Sequence, residues 1–81
     1  MTHDIPDHVL NSDIVYCISE YVRNIEHRNI LLDWWFYGYT LEGLAEKYHR
    51  SLTGIKNVIY GIGDEILIKA SKRSKQKLPK Q

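Results

Sequence analysis

The chain has 81 residues, of which 43% are hydrophobic and 26% are charged, and its formal net charge is +1. This length suffices for one domain with a modest hydrophobic core, and the composition is typical of a folded, soluble protein and not of a disordered one. The longest run without a charged residue, from Trp34 to Leu41, is far too short to span a membrane, and no signal-peptide pattern is present, so we expect a cytoplasmic protein.

The first predicted helix follows a polar N-terminal segment. Residues 1–11 have no periodic apolar pattern, so we expect a flexible leader there. Asn11, Ser12 or Asp13 can cap a helix that runs to about Asn24. Apolar residues then recur at spacings of three and four, which predicts one buried face. That face is formed by Ile14, Ile18, Tyr21, Val22 and Ile25.

A second helix is predicted from about Glu26 to Tyr37, and Gly38 is well placed to end it in the left-handed conformation. Four consecutive aromatic residues near its end cannot all be buried in so small a core. The coherent inward face is formed by Ile30, Leu31, Trp34 and Trp35. Leu32 and Phe36 then point elsewhere, with Tyr37 nearby. They form either an exposed surface for a protein partner or a patch that the leader or the C-terminal segment covers.

Two short helices joined by a tight turn are predicted next. Thr40 is a good N-cap for the third helix, with Glu42 in the first turn, where the helix dipole favours a carboxylate. Ser51 is a second N-cap only eleven residues later, so the third helix ends near Tyr48. Ala45 is small enough for two helices to cross steeply beside it. The apolar faces are Leu41, Leu44, Ala45 and Tyr48 on the third helix, and Ile55, Val58, Ile59 and Ile62 on the fourth.

Two glycines interrupt the fourth helix. Gly61 and Gly63 each cost about 1 kcal/mol relative to alanine in a helix interior. We therefore favour a bend or break in this helix, after which Asp64 could cap a separate last turn. The alternative is that the missing side chains let another helix approach closely. Residues 71–81 are predicted to form a basic disordered tail. No strand pattern occurs. The predicted fold is an all-α, four-helix domain over residues 12–70 with a C-terminal helix-turn-helix.

Six short elements occur at the spacing of a known family. They are Arg28-Asn29-Ile30-Leu31, Gly38-Tyr39-Thr40, Leu44-Ala45, Ser51, Ile55-Lys56 and Leu67. With these elements the chain resembles the helix-turn-helix of bacterial sigma-factor region four and of LuxR-type DNA-binding domains. The resemblance implies a recognition helix that begins at Ser51. Its positions that face the major groove in that family are Leu52, Thr53, Lys56, Asn57 and Tyr60.

Three residues depart from the family's pattern. His49 and Arg50 stand where the family has a glycine and an aliphatic residue, although histidine tolerates the left-handed backbone better than most residues. Gly54 lies inside the expected recognition helix and would loosen its first turn.

The expected recognition helix carries side chains that can read base pairs. Asn57 can pair bidentately with adenine, Thr53 can bond a base edge or contact a thymine methyl, and Lys56 can reach guanine or a phosphate. Lys47 and Arg50 flank the turn and suit backbone phosphates, which would set the register without reading sequence. The alternative for each residue is an ordinary solvated side chain.

The charges of the chain are segregated. Residues 1–40 hold two arginines against six carboxylates, a charge of −4, whereas residues 41–81 hold nine Lys and Arg against four carboxylates, a charge of +5. The basic half contains the paired helices, as a phosphate-facing surface requires. Six of its nine cations lie from Lys69 onward, where they suit either phosphate contact or solubility.

Catalysis is not expected. The four histidines are scattered, and no cysteine pair or carboxylate stands at metal-ligand spacing. Cys17 is the single cysteine, has no neighbouring base in sequence, and lies on an apolar helical stripe where a buried, unreactive thiol is favoured. Gly61-Ile62-Gly63 does not follow a strand, as a phosphate-binding loop would. We therefore expect no metal, cofactor or small-molecule substrate.

Two functions remain open. The first is a transcription regulator, of a size that suggests a phage or mobile-element gene, that binds double-stranded DNA through residues 51–60 and needs a symmetric dimer or RNA polymerase as partner. The second is an adaptor that mimics the sigma fold and binds polymerase or another protein with little DNA contact. The acidic first half and the Leu32/Phe36 pair favour the adaptor, and the basic second half favours the regulator.

Overall fold

Helices account for all the regular structure of residues 5–77, the part of the chain that the computed structural model describes. They are α1 (Asn11–Tyr21), α2 (Ile25–Phe36), α3 (Leu41–Tyr48), α4 (Leu52–Asn57), a π-helical segment (Val58–Ile62) and α5 (Gly63–Lys77). The backbone stays right-handed helical at Asn57, Val58 and Gly63, so α4, the π segment and α5 run on as one helix. The prediction of an all-α domain with four helices is confirmed.

Short-range hydrogen bonds set the helix ends around α3. Thr40 Oγ1 accepts a bond from the amide three residues later at 2.9 Å, and Ser51 Oγ does the same at 3.0 Å, which confirms both predicted N-caps. Gly38 (φ 70°) and His49 (φ 54°) both adopt the left-handed conformation, as the sequence predicts. The chain therefore reverses direction at positions that sequence alone identifies.

The N-terminal segment packs against the helices, which corrects the predicted flexible leader. Val9 is buried in the core, and the Leu10 amide donates to Ser74 Oγ at 3.0 Å. Helix α1 begins directly after Leu10 without a side-chain cap. Burial of Val9 and the bond to α5 hold this segment in place. Residues 1–4 lie outside the described residues.

Helix α5 extends past residue 70, so the predicted disordered tail is wrong for residues 71–77. Asp13, expected as an N-cap, instead accepts hydrogen bonds from Arg73 Nε at 3.0 Å and Ser74 Oγ at 2.6 Å. Asp13 and Ser74 have no exposed surface. A buried carboxylate needs such partners, and the helical residues Arg73 and Ser74 supply two hydrogen bonds, so the network joins α1 to α5. Residues 78–81 lie outside the described residues.

The core lies where α1, α2, α3 and the long fourth helix meet. Its buried apolar residues are Val9, Ile14, Cys17, Ile18, Val22, Ile30, Leu31, Trp35, Leu44, Ile55, Val58, Ile59, Ile66 and Ala70. Trp34, Ala45 and Ile62 were expected inside it but are half-buried at its edge. Burial of Cys17 confirms the expected environment of the thiol, and desolvation raises its pKa above the ordinary value.

The two glycines of the fourth helix behave differently from each other. Gly61 is exposed inside the π segment, and a Cβ there would meet nothing within 4 Å. Gly63 is buried, and a Cβ there would lie 3.3 Å from Leu31 Cδ2 and 3.6 Å from Trp35 Cζ2. The helix therefore continues through Gly61 with π geometry, without a break, and Gly63 lets α2 approach closely.

Candidate nucleic-acid interface

The surface formed by α3, the turn and α4 contains the residues that the sequence assigns to DNA. Leu44 on α3 and Ile55 on α4 have no exposed surface, so they hold the two helices together. In the turn, the Arg50 amide donates to Ala45 O at 3.0 Å, and His49 supplies the left-handed residue. Ser51 then caps α4. The N-terminal end of α4 is therefore held rigidly at the protein surface.

One side of α4 and the π segment faces solvent. Exposed residues on this side are Leu52, Thr53, Lys56, Asn57 and Tyr60. The opposite side carries Ile55, Val58 and Ile59, all buried. Together with Ser51, whose hydroxyl oxygen caps α4, six predicted recognition residues thus lie along the first part of the fourth helix.

Lys47, expected to contact phosphate, is paired with Asp33 of α2, although its side chain remains 43% exposed. Its Nζ lies 2.8 Å from Asp33 Oδ2, 4.6 Å from the centre of the Tyr39 ring and 5.3 Å from the centre of the Tyr48 ring. The hydrogen bond to Asp33 raises the pKa of Lys47 above its ordinary value. Tyr48 also donates to Asp33, and burial, followed by this bond, raises the pKa of Tyr48 to about 12. Lys47 therefore ties α3 to α2.

Arg50 is paired as well, but on the surface. Its Nε donates to Glu26 Oε1 at 2.6 Å, across the turn to the first turn of α2. This hydrogen bond lowers the pKa of Glu26 and raises that of Arg50. The Arg50 side chain is 57% exposed, and water and salt weaken ion pairs of this kind. Arg50 therefore has one exposed carboxylate partner, whereas Lys47 has a carboxylate partner and lies over two tyrosine rings.

A cleft of about 270 Å³ separates the start of α2 from α4. Its floor is apolar, formed by Ile30, Ile55, Val58 and Ile62. Its polar lining is formed by Glu26, His27, Arg50 and Asn57. Gly54, which has no side chain, also lines the cleft. Asn57 and the Arg50–Glu26 pair line this same cleft. Two of the residues that the sequence predicts to contact DNA therefore border one cleft.

The expected protein-binding patch on α2 is only partly exposed. Leu32 and Phe36 are half-buried and pack against the core. Tyr37 is 73% exposed and Ile25, one helix length away, is 69% exposed. Trp34 packs edge-on against Tyr60, with ring centres 6.5 Å apart, and so connects α2 to the exposed side of the fourth helix.

Sequence reasoning missed the far end of α5. Lys69 lies 4.5 Å over the Tyr21 ring and Arg73 lies 3.8 Å over the Tyr16 ring, so α5 cations stack on exposed α1 tyrosines. A signal for this helix was present, because Ile66, Ala70 and Ser74 recur every four residues and all three are buried. The abundance of lysine and serine obscured it.

Comparison with known proteins finds no relative of this chain. No protein-family model matches it, and neither a curated protein nor a solved structure matches it. Among residues 5–77, no cluster of histidine, cysteine and carboxylate side chains could hold a metal ion. Within the same residues no helix combines the length and the apolar character needed to cross a membrane. Assignment of a function therefore depends on the geometry of the surface itself.

Proposed function

We propose that this protein is a DNA-binding transcription regulator that inserts α4 into the major groove as the recognition helix of a helix-turn-helix. The observation that carries the proposal is the two-sided character of α4. Thr53, Lys56 and Asn57 are exposed and free of packing, while Ile55 on the opposite side is fully buried. A helix held rigidly from behind, with polar side chains in front, is the arrangement that base recognition needs.

The exposed residues supply complementary chemistry for base pairs. Asn57 would pair bidentately with adenine, and Thr53 would contact a base edge or a thymine methyl group. Lys56 would reach guanine or a phosphate. Leu52 and Tyr60, 38% and 54% exposed, would border the contact with apolar surface. Arg50 would contact the backbone after releasing Glu26.

Specific binding by this one motif requires a partner. A single module of this kind buries roughly 600–1,000 Å² of protein surface, which is small for tight, sequence-specific binding. A second copy of the chain on a symmetric site would double the contact, and a tether to RNA polymerase would raise the local concentration. We propose one of these two arrangements for the regulator.

A second candidate function is an adaptor that binds RNA polymerase or another protein with little DNA contact. One observation favours it: both cations that flank the turn, Lys47 and Arg50, are paired with carboxylates of α2. The exposed Tyr37, directly after α2, and Ile25, at the start of α2, would then be the binding residues. Tyr37→Glu tests this better than Phe36→Glu, because Tyr37 is exposed and its replacement leaves the core intact.

The decisive experiment measures DNA affinity of the whole chain. Duplexes enriched from a random library with purified protein provide the preferred site, and fluorescence anisotropy then measures affinity across salt concentrations. Asn57→Ala should lose about 1–3 kcal/mol on the preferred site and little on other sequences. Asn11→Ala, an exposed asparagine on α1, is the matched control and should bind like the parent.

Two outcomes contradict the proposal. One is a parent protein without salt-sensitive affinity for any duplex, even at low ionic strength and with polymerase present. The other is equal loss on all sequences for Asn57→Ala. Co-purification with polymerase that Tyr37→Glu abolishes, in the absence of DNA binding, would establish the adaptor instead.

A further inference from the structure

We infer that the main phosphate-binding surface of this protein is the basic face of α5, defined by Lys69, Lys72 and Lys75, and not the turn between α3 and α4. The inference rests on the proposed DNA-binding function and deepens it, because it states where the DNA backbone is held. The sequence gives the number of charged side chains, whereas the fold shows which of them are paired with one another.

The region around the turn is not basic once its neighbours are included. Residues 24–65 carry four Lys and Arg against six carboxylates. Of the four cations, Lys47 is paired with Asp33, and Arg50 is paired with Glu26. Arg28 donates to the carbonyl groups of Ser19 and Val22, which end α1. Lys56 alone stands on the exposed side of α4 with no ion pair to a described residue.

The end of α5 has the opposite character. Residues 66–77 carry five Lys and Arg and no carboxylate. Arg73 is used internally, since it pairs with the buried Asp13. Lys72 and Lys75 are exposed, and neither forms an ion pair with any residue in the described range. Lys69 is exposed too and is held over the Tyr21 ring. Among the described residues, the largest group of cations without an ion pair to a carboxylate therefore lies here.

The three lysines form a regular row because residues 71–77 are helical. They are spaced three residues apart, so the row spans about 9 Å along α5. Lys56 and Lys72 belong to one continuous helix and are separated along it by about 24 Å. That separation is shorter than one turn of B-DNA, about 34 Å. Groove contact by α4 and backbone contact by α5 can therefore occur on one duplex.

The chemistry of this face fits a phosphodiester backbone better than other anionic partners. The apolar side of α5, with Ile66 and Ala70, is buried against α1, so it is not available to enter a lipid surface. Ile68 and the α1 tyrosines Tyr16 and Tyr21 are exposed near these lysines, and α5 cations lie over both tyrosine rings. A protein interface would have a larger apolar centre with few lysines. Closely spaced lysines on a polar helix face are what a line of phosphates requires.

The test compares full-length variants by anisotropy titration with a labelled duplex of mixed sequence, over a range of salt concentrations. Lys72→Gln/Lys75→Gln should lower the slope of log affinity against log salt by about 1.8 units, because each phosphate contact contributes about 0.9. At 0.1 M salt the affinity should fall on the order of 60-fold for all sequences alike. Lys72→Arg/Lys75→Arg retains the charges at the same positions and should bind like the parent.

Lys56→Gln separates this inference from the proposed function, since it should change the slope by at most about one unit. If Lys56→Gln and Asn57→Ala abolish binding while the α5 pair changes nothing, the inference is overturned and the proposed function stands. If the α5 pair abolishes binding while α4 variants bind every sequence like the parent, the inference stands and the proposed function fails. Parent protein that binds phosphatidylserine vesicles through the α5 lysines, but no duplex, overturns both.

Discussion

Replacement of the two glycines of the fourth helix tests the packing of α2 against α5 with a built-in control. Gly61 and Gly63 are two residues apart on a continuous helix, and neither has a positive φ. Glycine in a helix is less favourable than alanine by about 0.5–1 kcal/mol. Gly61→Ala places its methyl in open space, so it should stabilise the protein by up to that amount.

Gly63→Ala should stabilise the protein much less than Gly61→Ala does. Its methyl would lie 3.3 Å from Leu31 Cδ2, so the fully buried Leu31 side chain would have to shift by a few tenths of an ångström. Gly63→Leu adds three more carbon atoms toward Leu31 and Trp35 and should cost about 1–3 kcal/mol or more by overpacking. For a domain of this size, 1 kcal/mol corresponds to a shift of about 4–8 °C in the melting temperature.

Thermal and urea unfolding followed by circular dichroism measure these differences. The expected order of stability is Gly61→Ala, then the parent and Gly63→Ala together, then Gly63→Leu. A Gly63→Leu protein that melts with the parent would refute the close contact between α2 and α5. Stabilisation by Gly63→Ala equal to that of Gly61→Ala would show that Leu31 and Trp35 lie farther away.

Two further predictions concern buried and titrating groups. Asp13→Asn should destabilise the protein by about 1.5–3 kcal/mol in urea unfolding, because it weakens the hydrogen bonds from Arg73 and Ser74 to a buried carboxylate. The control Asp64→Asn, at an exposed position, should change stability by less than about 0.5 kcal/mol. Equal effects of the two substitutions would contradict the network. Folding raises the pKa of Tyr48 from 10.0 to about 12. The contribution of neutral Tyr48 to the stability of the folded protein is therefore complete below pH 10 and is lost between pH 10 and 12. The stability difference between the parent and Tyr48→Phe should therefore shrink over that interval, and a difference that stays constant would mean that the Tyr48 proton is not held.

The local structure of this protein could be predicted from sequence because its signals act over a few residues. Thr40 and Ser51 bond amides three positions ahead, and Gly38 and His49 take backbone conformations that their own side chains permit. Periodic apolar residues likewise predict the buried faces of α2 and α4. All-α architecture and the position of the turn follow from these signals alone.

The partners of the charged side chains were decided only by tertiary structure. Lys47 and Arg50 meet carboxylates 14 and 24 residues away, and Arg73 meets Asp13 across 60 residues. A charge count cannot show which cation is neutralised, because neutralisation depends on which helices pack side by side. That packing paired Lys47 with Asp33, and it set Arg73 and Ser74 of α5 against the carboxylate of Asp13, which needs hydrogen-bond partners because it is buried. The sequence therefore determined most of the helices and the turn between α3 and α4, and the packing of α1 and α2 against the long fourth helix decided which charged side chains are paired.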